Sequence, residues 1–392
     1  MVLSQAGMLR SQEDFARKDP LPVDAYFSET YWEARDKFRW AANVVGAEVT
    51  TLTVKDPDYT IDIAVVQGGG AKGLLVHSSG VHGCEGYAGS AIQTSILHDM
   101  YCTGSKPEVT CVFVHAVNPY GMAHFRRFNE NNVDLNRNAL SPTEWQEVLA
   151  RDPNLAGYED FTDLLVASAK PTPWFVYVGF WLRAACLLLR YGSTSLKRAM
   201  VSATYSKPAG IFFGGVELQP SHRLLADFFK RKFAGVKGRS VTWVDVHTGL
   251  GPKGVDVLMC VPSDRETAKQ CFCGADVQCI GEGGQIAGSQ ADGYEHVRGT
   301  MKTFYGQLFD GSEGDSFIMT QEFGTKPGVF VAWSMIVENR GFHYDFENHV
   351  YWSKFTRDAF YIREPSWKAS VMKRGKIVFQ QQASLGLQRA NP

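Results

Sequence analysis

Two residue types that bind transition metals lie close together near residue 82. His82 and Glu85 are separated by Gly83 and Cys84. An imidazole nitrogen and a carboxylate oxygen that meet across a backbone turn both suit zinc at about 2 Å. A His followed by Glu at this spacing is common by chance, so the pair alone is equally compatible with an ordinary loop histidine. A third protein ligand must come from elsewhere.

His247 is the candidate for that third ligand. It follows the strand-like segment VTWVDV and precedes a glycine-rich segment, residues 248–254, in which the backbone can approach a ligand closely. Asp245 lies two residues earlier and therefore on the same face of the strand. There it either orients a neighbouring group or is simply buried and paired.

The densest polar segment, residues 118–138, directly follows a strand predicted to be buried. It contains Arg126, Arg127 and Arg137 among several asparagines, a mixture that offers donors to a carboxylate or a carbonyl oxygen. The planar guanidinium presents two donors side by side. We therefore expect at least one of these arginines to bind a substrate, although a solvated loop is the alternative.

In this order the motifs resemble those of the zinc carboxypeptidase A family. The series is His82-x-x-Glu85, Asn118-Pro119, Arg127, Asp134-Leu135-Asn136-Arg137-Asn138, His247 and Glu322. The segments HSSGVHGCEGYAGSAIQ, HAVNPYG, NVDLNRN and DVHTGLG are more similar still to an uncharacterised branch of that family, which is labelled only as a domain of unknown function. The resemblance extends from about residue 25 to about residue 365.

The resemblance implies a zinc site with one ion per chain. His82, Glu85 and His247 would be the three protein ligands, which leaves a fourth position for water. Asp134 would hydrogen-bond the first zinc histidine and so fix its ring and its tautomer.

The same resemblance implies the catalytic and substrate-binding residues. Glu322 would be the general base. Arg127 would polarise the scissile carbonyl group, and its neighbour Arg126 is the alternative match for that role. Asn136 and Arg137 would bind a terminal carboxylate of the substrate.

Two features of the family are not fixed by any motif in this sequence. Tyr294 and Tyr305 lie in the region of the tyrosine that closes over bound substrate, but no motif selects either one. The pocket that sets side-chain specificity would be built between His247 and Glu322, where this chain has a cysteine-rich segment and the run 281–284. Its preference therefore stays open.

The implied function is that of a zinc-dependent hydrolase, a metallopeptidase of the carboxypeptidase type. It would use a zinc-activated water to cleave an amide bond next to a free carboxylate, in a peptide or an acyl amino acid. An N-acyl amino acid deacylase with the same site is one alternative, and a non-catalytic zinc-binding protein that retains the fold is another. A serine hydrolase is disfavoured because Ser78 and Ser79 lack the Gly-x-Ser-x-Gly motif.

The elements that must position these residues alternate as in an α/β domain. Helices are expected at 28–45, with Ser28 as its cap, and at 86–101, and strands at 48–54, 60–67, 73–77, 109–117, 241–246 and 315–323. The run Gly68-Gly69-Gly70 predicts a hairpin turn, because Lys72 is followed by Gly73 where a phosphate loop needs Ser or Thr. The candidate residues follow strand ends, where open α/β sheets bind ligands.

We predict a single α/β domain with a mixed, largely parallel twisted sheet flanked by helices. The count of about eight strands is taken from the resemblance. The domain would span residues 25–380, between an N-terminal extension (1–24) and a C-terminal tail (381–392), with a helical insertion at about 150–220. That insertion would cap the cleft, pair two subunits or touch a membrane.

The apolar segment 174–189 lies inside this insertion. It is shorter than the roughly 20 residues that cross a bilayer, and it contains Arg183. It therefore predicts a buried or partner-facing helix. Contact with a membrane surface is the less favoured alternative, since basic residues beside Trp and Phe also suit an interface.

Composition excludes some classes of partner. The chain has 40 Lys and Arg against 41 Asp and Glu, so it lacks the basic excess that binds nucleic acid. The first twenty residues lack the apolar core of a secretory signal, which predicts a cytoplasmic protein whose eight cysteines are thiols. Within 260–279 the cysteine spacing lacks Cys-x-x-Cys, so an oxidised pair is a better alternative there than a metal site. The oligomeric state stays open.

Overall fold

A single sheet of eight strands forms the centre of the computed structural model, which describes residues 18–233, 240–279, 296–309 and 315–390. The strands are β1 (Glu48–Thr53), β2 (Thr60–Val66), β3 (Ala71–Ser79), β4 (Val109–His115), β5 (Ser240–Gly249), β6 (Asp256–Cys260), β7 (Asp276–Cys279) and β8 (Asp315–Gly324). Their order across the sheet is β1-β2-β4-β3-β5-β8-β6-β7. The predicted mixed, eight-stranded α/β fold is confirmed.

The four central strands are mutually parallel. β3 pairs with β4 and β5, and β5 pairs with β8, all in the parallel sense. The pairs β1–β2, β2–β4 and β6–β8 are antiparallel, and the edge pair β6–β7 is parallel. The carboxyl ends of the parallel strands therefore meet at one edge of the sheet, the usual location of ligands in open α/β sheets. The β5–β8 register places His247 beside Glu322 at that edge.

The glycine run at 68–70 does not form the predicted hairpin turn. β4 lies between β2 and β3, antiparallel to the first and parallel to the second. β4 is almost wholly buried, so a partner on each side satisfies its backbone groups. A glycine turn between two strands shows that the chain reverses, but it does not show whether a third strand enters between them.

Helices cover both faces of the sheet. Those of the described residues are α1 (Val23–Tyr26), α2 (Tyr31–Val44), α3 (Gly86–Thr103), α4 (Pro119–Ala123), α5 (Pro142–Ala150), α6 (Thr162–Leu165), α7 (Phe180–Tyr191), α8 (Ser193–Val201), α9 (Pro220–Lys232), α10 (Arg265–Cys271), α11 (Met301–Phe309), α12 (Gly328–Tyr344), α13 (His349–Phe360) and α14 (Pro365–Ala390). Residues of α2, α3 and α14 pack in one core cluster, and residues of α9 and α11 pack in another with Trp243. Short 3-10 helices span Gly83–Glu85, Leu135–Arg137, Tyr158–Phe161, Pro262–Asp264 and Phe346–Asn348.

Two element ends differ from their predicted positions. The N-cap of α2 is Thr30 and not Ser28, because the Thr30 side chain accepts a hydrogen bond from the backbone of Glu33. The predicted boundary at residue 380 falls inside α14, which continues to Ala390 and buries Leu385 against the first core.

The segment between 150 and 220 is largely helical and has a hydrophobic core of its own. Phe161 and Phe180 from this segment pack in one cluster with Met335 and Ile336 of α12. A wide helical turn, Phe175–Gly179, leads directly into α7. The segment is therefore docked on α12 through apolar contacts.

The predicted helix at 174–189 is only half buried. Phe180 and Ala184 are buried, whereas Tyr177 is 62% exposed and Leu189 is 88% exposed. In the described residues no single helix is both long and apolar enough to cross a membrane, although the pair Phe175–Tyr191 and Ser193–Val201, bent by 106°, meets that test together.

All eight cysteines lie in the described part of the chain and are free thiols. Cys260 and Cys279 are register partners on β6 and β7. Burial raises the pKa of the Cys260 thiol to about 12, so it is protonated and unreactive near neutral pH.

Candidate metal and active site

Three buried side chains converge at the carboxyl edge of the parallel strands. His82 and Glu85 come from the turn that follows β3, and His247 comes from the end of β5. One potential ligand atom from each residue lies within 4.8 Å of the other two. The structure thus brings together the three residues that were predicted to bind zinc.

The spacing of these atoms fits a tetrahedral ion. Nδ1 of His82 lies 3.0 Å from Oε1 of Glu85, Nδ1 of His247 lies 3.2 Å from Oε2 of Glu85, and the two Nδ1 atoms are 3.2 Å apart. Zinc binds nitrogen and oxygen at 2.0–2.2 Å, so tetrahedral ligand atoms lie about 3.3 Å from one another. Each separation is close to this value, with His82 facing one oxygen of the Glu85 carboxylate and His247 facing the other.

Two buried carboxylates face the far sides of the imidazole rings. Nε2 of His247 lies 2.6 Å from Oδ2 of Asp245, and Nε2 of His82 lies 3.2 Å from Oδ1 of Asp134. At His247 the carboxylate favours a proton on Nε2 and leaves the lone pair on Nδ1. Nε2 of His82 faces both Asp134 and, at 2.8 Å, the donor Nη2 of Arg127. The Nδ1 atom of His247 is thus an acceptor that points at the Glu85 carboxylate, an arrangement that a cation stabilises.

Glycine is required in the turn that carries His82 and Glu85. A β-carbon on Gly83 would lie 2.0 Å from the carbonyl carbon of Gly121, so any side chain would push this turn away from α4. The backbone of Cys84 donates to the carbonyl oxygen of Arg126 at 2.8 Å. The turn is thus fixed against the polar segment 118–138.

Arg127 lies beside the cluster, as predicted. Its guanidinium donates to Oε1 of Glu85 at 2.8 Å and to Oδ2 of Asp134 at 3.1 Å, and Nη2 lies 2.8 Å from Nε2 of His82. It also lies over the ring of Phe212, 4.7 Å from the centroid. The cation is therefore held against the cluster by two carboxylates and an aromatic ring.

Arg126 is not at the site, so its prediction as a substrate-binding residue is wrong. Its Nε lies 2.7 Å from Oε1 of Glu338, and its guanidinium covers the ring of Phe342 at 3.2 Å. The side chain is fully buried. Two adjacent residues project in different directions, so one arginine reaches the cluster and the other enters the core.

Asp245 is a site residue that sequence analysis left undecided. Besides His247 it binds Ser78, whose hydroxyl donates to Oδ1 at 2.6 Å and accepts from Nε1 of Trp243 at 2.6 Å. Its position two residues before His247 on one strand was the available signal. The same contacts exclude Ser78 as a nucleophile, because the hydroxyl is buried and already bonded.

Glu322 lies next to His247 on the neighbouring strand. Its Oε1 accepts a hydrogen bond from the backbone of Leu250 at 2.9 Å. Burial, reinforced by the negative charge of Glu85, raises the pKa of Glu322 to about 7. A carboxyl group that titrates near neutrality can both accept and return a proton.

The pKa values of the two other carboxyl groups beside the histidines, those of Glu85 and Asp134, are lowered and not raised. Burial alone would raise the pKa of Glu85, but His82, His247 and Arg127 outweigh it and hold that pKa well below its usual range. Burial would likewise raise the pKa of Asp134, which Arg127 and His82 hold low. Both carboxylates are therefore ionised.

Asn136 and Arg137 line the same cleft. Oδ1 of Asn136 accepts from the backbone of Met301 at 3.0 Å, and Nε of Arg137 donates to the carbonyl oxygen of Val201 at 2.7 Å. These bonds tie the segment to α11 and to the end of α8.

Of the two candidates for the closing tyrosine, the structure describes Tyr305, which is not at the cleft. Tyr305 is fully buried in α11, 4.8 Å from the ring of Trp243, with its hydroxyl 3.3 Å from Nδ1 of His222. It is a core residue, and a closing role for it is wrong. Tyr294 and the run 281–284 lie outside the described residues.

The cluster opens into a cavity of about 470 Å³. Its lining includes the three cluster residues, Arg127, Asn136, Arg137 and Glu322, together with side chains from the 150–220 segment and α12. Of the roles considered for the insertion, lining the cleft is the one that the structure shows.

The chain is similar to a protein family over most of its length. The profile of the family described as "Protein of unknown function (DUF2817)" matches residues 27–374. No curated protein matches the sequence.

Solved structures similar to this chain include two proteins that align with nearly all of it. The thrombin activatable fibrinolysis inhibitor is 12% identical, with 98% of this chain and 81% of that chain covered and a TM-score of 0.48. Carboxypeptidase A from Helicoverpa armigera is 13% identical, with 97% and 81% covered and a TM-score of 0.45. Murein-tripeptide amidase MpaA from Escherichia coli O157 is 13% identical, with 76% and 94% covered and a TM-score of 0.37.

Proposed function

The chain belongs to the DUF2817 family, and we propose that it is a zinc-dependent hydrolase that cleaves an amide bond next to a free carboxylate. Membership confirms the predicted branch of unknown function. One observation carries the proposal. The Nδ1 atoms of His82 and His247 and the carboxylate of Glu85 converge at tetrahedral spacing, with an acidic partner behind each ring.

The donor set suits zinc better than magnesium or calcium. Two imidazoles and one carboxylate are a ligand set found in catalytic zinc sites, where a fourth position stays open. Magnesium and calcium prefer sites made of oxygen ligands. Zinc held by these three residues would supply a Lewis acid that makes water nucleophilic near neutral pH.

The remaining chemistry falls to residues around the cluster. Glu322 accepts a proton from the water that attacks the carbonyl carbon, and Arg127 stabilises the negative charge that develops on the carbonyl oxygen. When the carbon–nitrogen bond breaks, Glu322 returns the proton to the leaving nitrogen. The products are a carboxylic acid and a free amine, and the atoms of one water are consumed.

Arg137 and Asn136 support the preference for a free carboxylate. Both line the cavity that contains the cluster, and Arg137 carries the only guanidinium among the described lining residues besides that of Arg127. A guanidinium binds a carboxylate through two parallel hydrogen bonds. The proposed substrate therefore places its carboxylate near Arg137 and its amide carbonyl between the cluster and Arg127.

Metal content tests the site first. Purified protein should hold about one zinc per chain by mass spectrometry, and His247→Ala should hold much less. Asn131→Ala, a change at a surface side chain remote from the cavity, serves as the control. A folded wild-type protein that takes up no added zinc would overturn the proposal.

Turnover separates the enzyme from a non-catalytic zinc-binding protein. Glu322→Gln keeps the shape of the side chain but cannot accept the proton, so it should retain zinc and lose nearly all hydrolysis of short peptides and acetyl amino acids. Hydrolysis at the wild-type rate in this variant would refute the assignment of Glu322 as the base.

A further inference from the structure

The cavity next to the His82, Glu85 and His247 cluster has a polar half and an apolar half. Charged and polar side chains form one half, around His82, Arg127 and Glu322. The other half is formed by α7, α8 and α12 together with residues that precede them. Its apolar lining includes Leu164, Phe180, Leu196, Met200, Met335 and Ile336.

The apolar half offers little to a peptide backbone. Helices bond their own N–H and C=O groups internally, so their side chains alone face the cavity. Among the described lining residues on α7 and α8, the polar ones are Ser193, Thr194 and Lys197, at the beginning of α8. A peptide that extended into this half would bury amide groups without partners, at a cost of about 1–3 kcal/mol each.

A hydrocarbon chain has no such cost and fits the volume. The cavity of about 470 Å³ falls within the range of roughly 300–1,000 Å³ typical of small-molecule sites. Three of its lining residues are methionines, Met200, Met259 and Met335, whose flexible side chains adapt to ligands of variable shape.

We propose that the substrate is an amino acid acylated on nitrogen with a long hydrocarbon chain, and that the apolar half of the cavity holds the chain. This inference rests on the proposed amide hydrolysis. The amide lies at the cluster and the carboxylate near Arg137. Hydrolysis adds one water across the carbon–nitrogen bond and releases a fatty acid and a free amino acid.

The proposal predicts how activity depends on chain length. Each methylene moved from water into an apolar site contributes about 0.8 kcal/mol, which is roughly a fourfold gain in kcat/KM. The gain should continue until the cavity is full and then stop. Peptides with the same carboxyl-terminal residue should gain nothing comparable from added residues.

A substrate series tests this directly on the zinc-loaded full chain. It comprises acetyl, octanoyl, dodecanoyl and hexadecanoyl derivatives of glycine, phenylalanine, glutamate and lysine, with matched dipeptides and tripeptides. A steep rise in kcat/KM from acetyl to dodecanoyl supports the proposal. Equal turnover of acetyl and dodecanoyl compounds, or preference for the peptides, overturns it.

Two neighbouring alanines on α7 provide a matched pair of variants. Ala184 is 5% exposed and lines the cavity, whereas Ala185, about 100° further around the helix, is exposed and does not line it. Ala184→Trp fills space equivalent to several methylenes and should lower the ratio of dodecanoyl to acetyl turnover at least tenfold. Ala185→Trp should leave the ratio unchanged. An unchanged ratio in a folded Ala184→Trp would contradict the placement of the chain.

A binding measurement keeps this inference separate from the proposed function. Dodecanoate, the product, should bind the wild type by calorimetry and bind Ala184→Trp at least tenfold more weakly, whatever the hydrolytic activity. Activity on acetyl amino acids without dodecanoate binding refutes only the long chain. Dodecanoate binding by a zinc-loaded protein that hydrolyses nothing refutes only the catalytic function.

Discussion

Asp245→Asn should weaken zinc binding without disturbing the fold. The Asp245 carboxylate bonds two partners at 2.6 Å each, Nε2 of His247 and the hydroxyl of Ser78. Asparagine has the same shape, so its oxygen can still accept from His247 while its NH₂ group turns toward Ser78. The change therefore removes the charge of this contact and keeps its geometry.

The expected loss of zinc-binding free energy follows from the difference between a charged and a neutral hydrogen bond. Hydrogen bonds to charged groups contribute about 1.5–3 kcal/mol, and neutral ones about 0.5–1.5 kcal/mol. The loss is then about 1–2 kcal/mol, or roughly a 5- to 30-fold weaker zinc complex. This agrees with the roughly 10- to 100-fold effect of removing partners behind zinc ligands.

Competition with a chromophoric chelator measures the zinc dissociation constant. Asp256→Asn is the matched control, because Asp256 is also a buried strand aspartate but binds Arg374 and Gln321, away from the cluster. It should lower the melting temperature and leave zinc affinity unchanged. If folded Asp245→Asn binds zinc as tightly as this control, Asp245 does not orient His247.

Two further predictions distinguish catalytic from structural roles for residues that the sequence alone does not resolve. Arg126→Gln breaks a fully buried ion pair and should lower the free energy of unfolding by about 3–5 kcal/mol, which urea titration measures. Arg127→Gln should instead lower kcat/KM by roughly 10²–10³-fold, because a preorganised donor to the oxyanion is lost. If Arg126→Gln lost the activity and Arg127→Gln lost only stability, Arg126 would be the catalytic residue and Arg127 the structural one. Tyr305→Phe loses a contact worth about 1 kcal/mol to stability and should keep wild-type kcat. A tenfold fall in kcat would restore Tyr305 as a closing residue.

The candidate metal ligands could be predicted because they lie near or just beyond the carboxyl ends of parallel strands. His82 comes after β3 and His247 lies near the end of β5, and neighbouring parallel strands bring such residues to one edge of the sheet. The position of a residue at the end of its own strand therefore predicted its contact with residues that are far away in the sequence. The type of each residue then specified the chemistry.

The errors share a physical origin in contacts that spacing does not encode. Arg126 and Arg127 are adjacent and chemically identical, and only the buried Glu338 selects which one enters the core. Tyr305 was chosen by its region alone, but its ring completes a core cluster with Trp243. The apolar half of the cavity likewise arises only when the insertion docks on α12.

The charge balance around the cluster is an independent argument for a divalent ion at this site. Three buried carboxylates, those of Glu85, Asp134 and Asp245, surround the two histidines, and the buried carboxyl group of Glu322 lines the same cavity. The guanidinium of Arg127 bonds to Glu85 and Asp134, and uncompensated negative charge in a buried site is strongly unfavourable. A dication would offset this excess with both histidines neutral, the form in which imidazole binds metal. In the metal-free protein the balance must come from protons instead. The pKa of His247 is consistent with this. Burial alone would lower that pKa, but the negative charges of Asp245 and Glu85 have a larger effect and raise it well above its usual value.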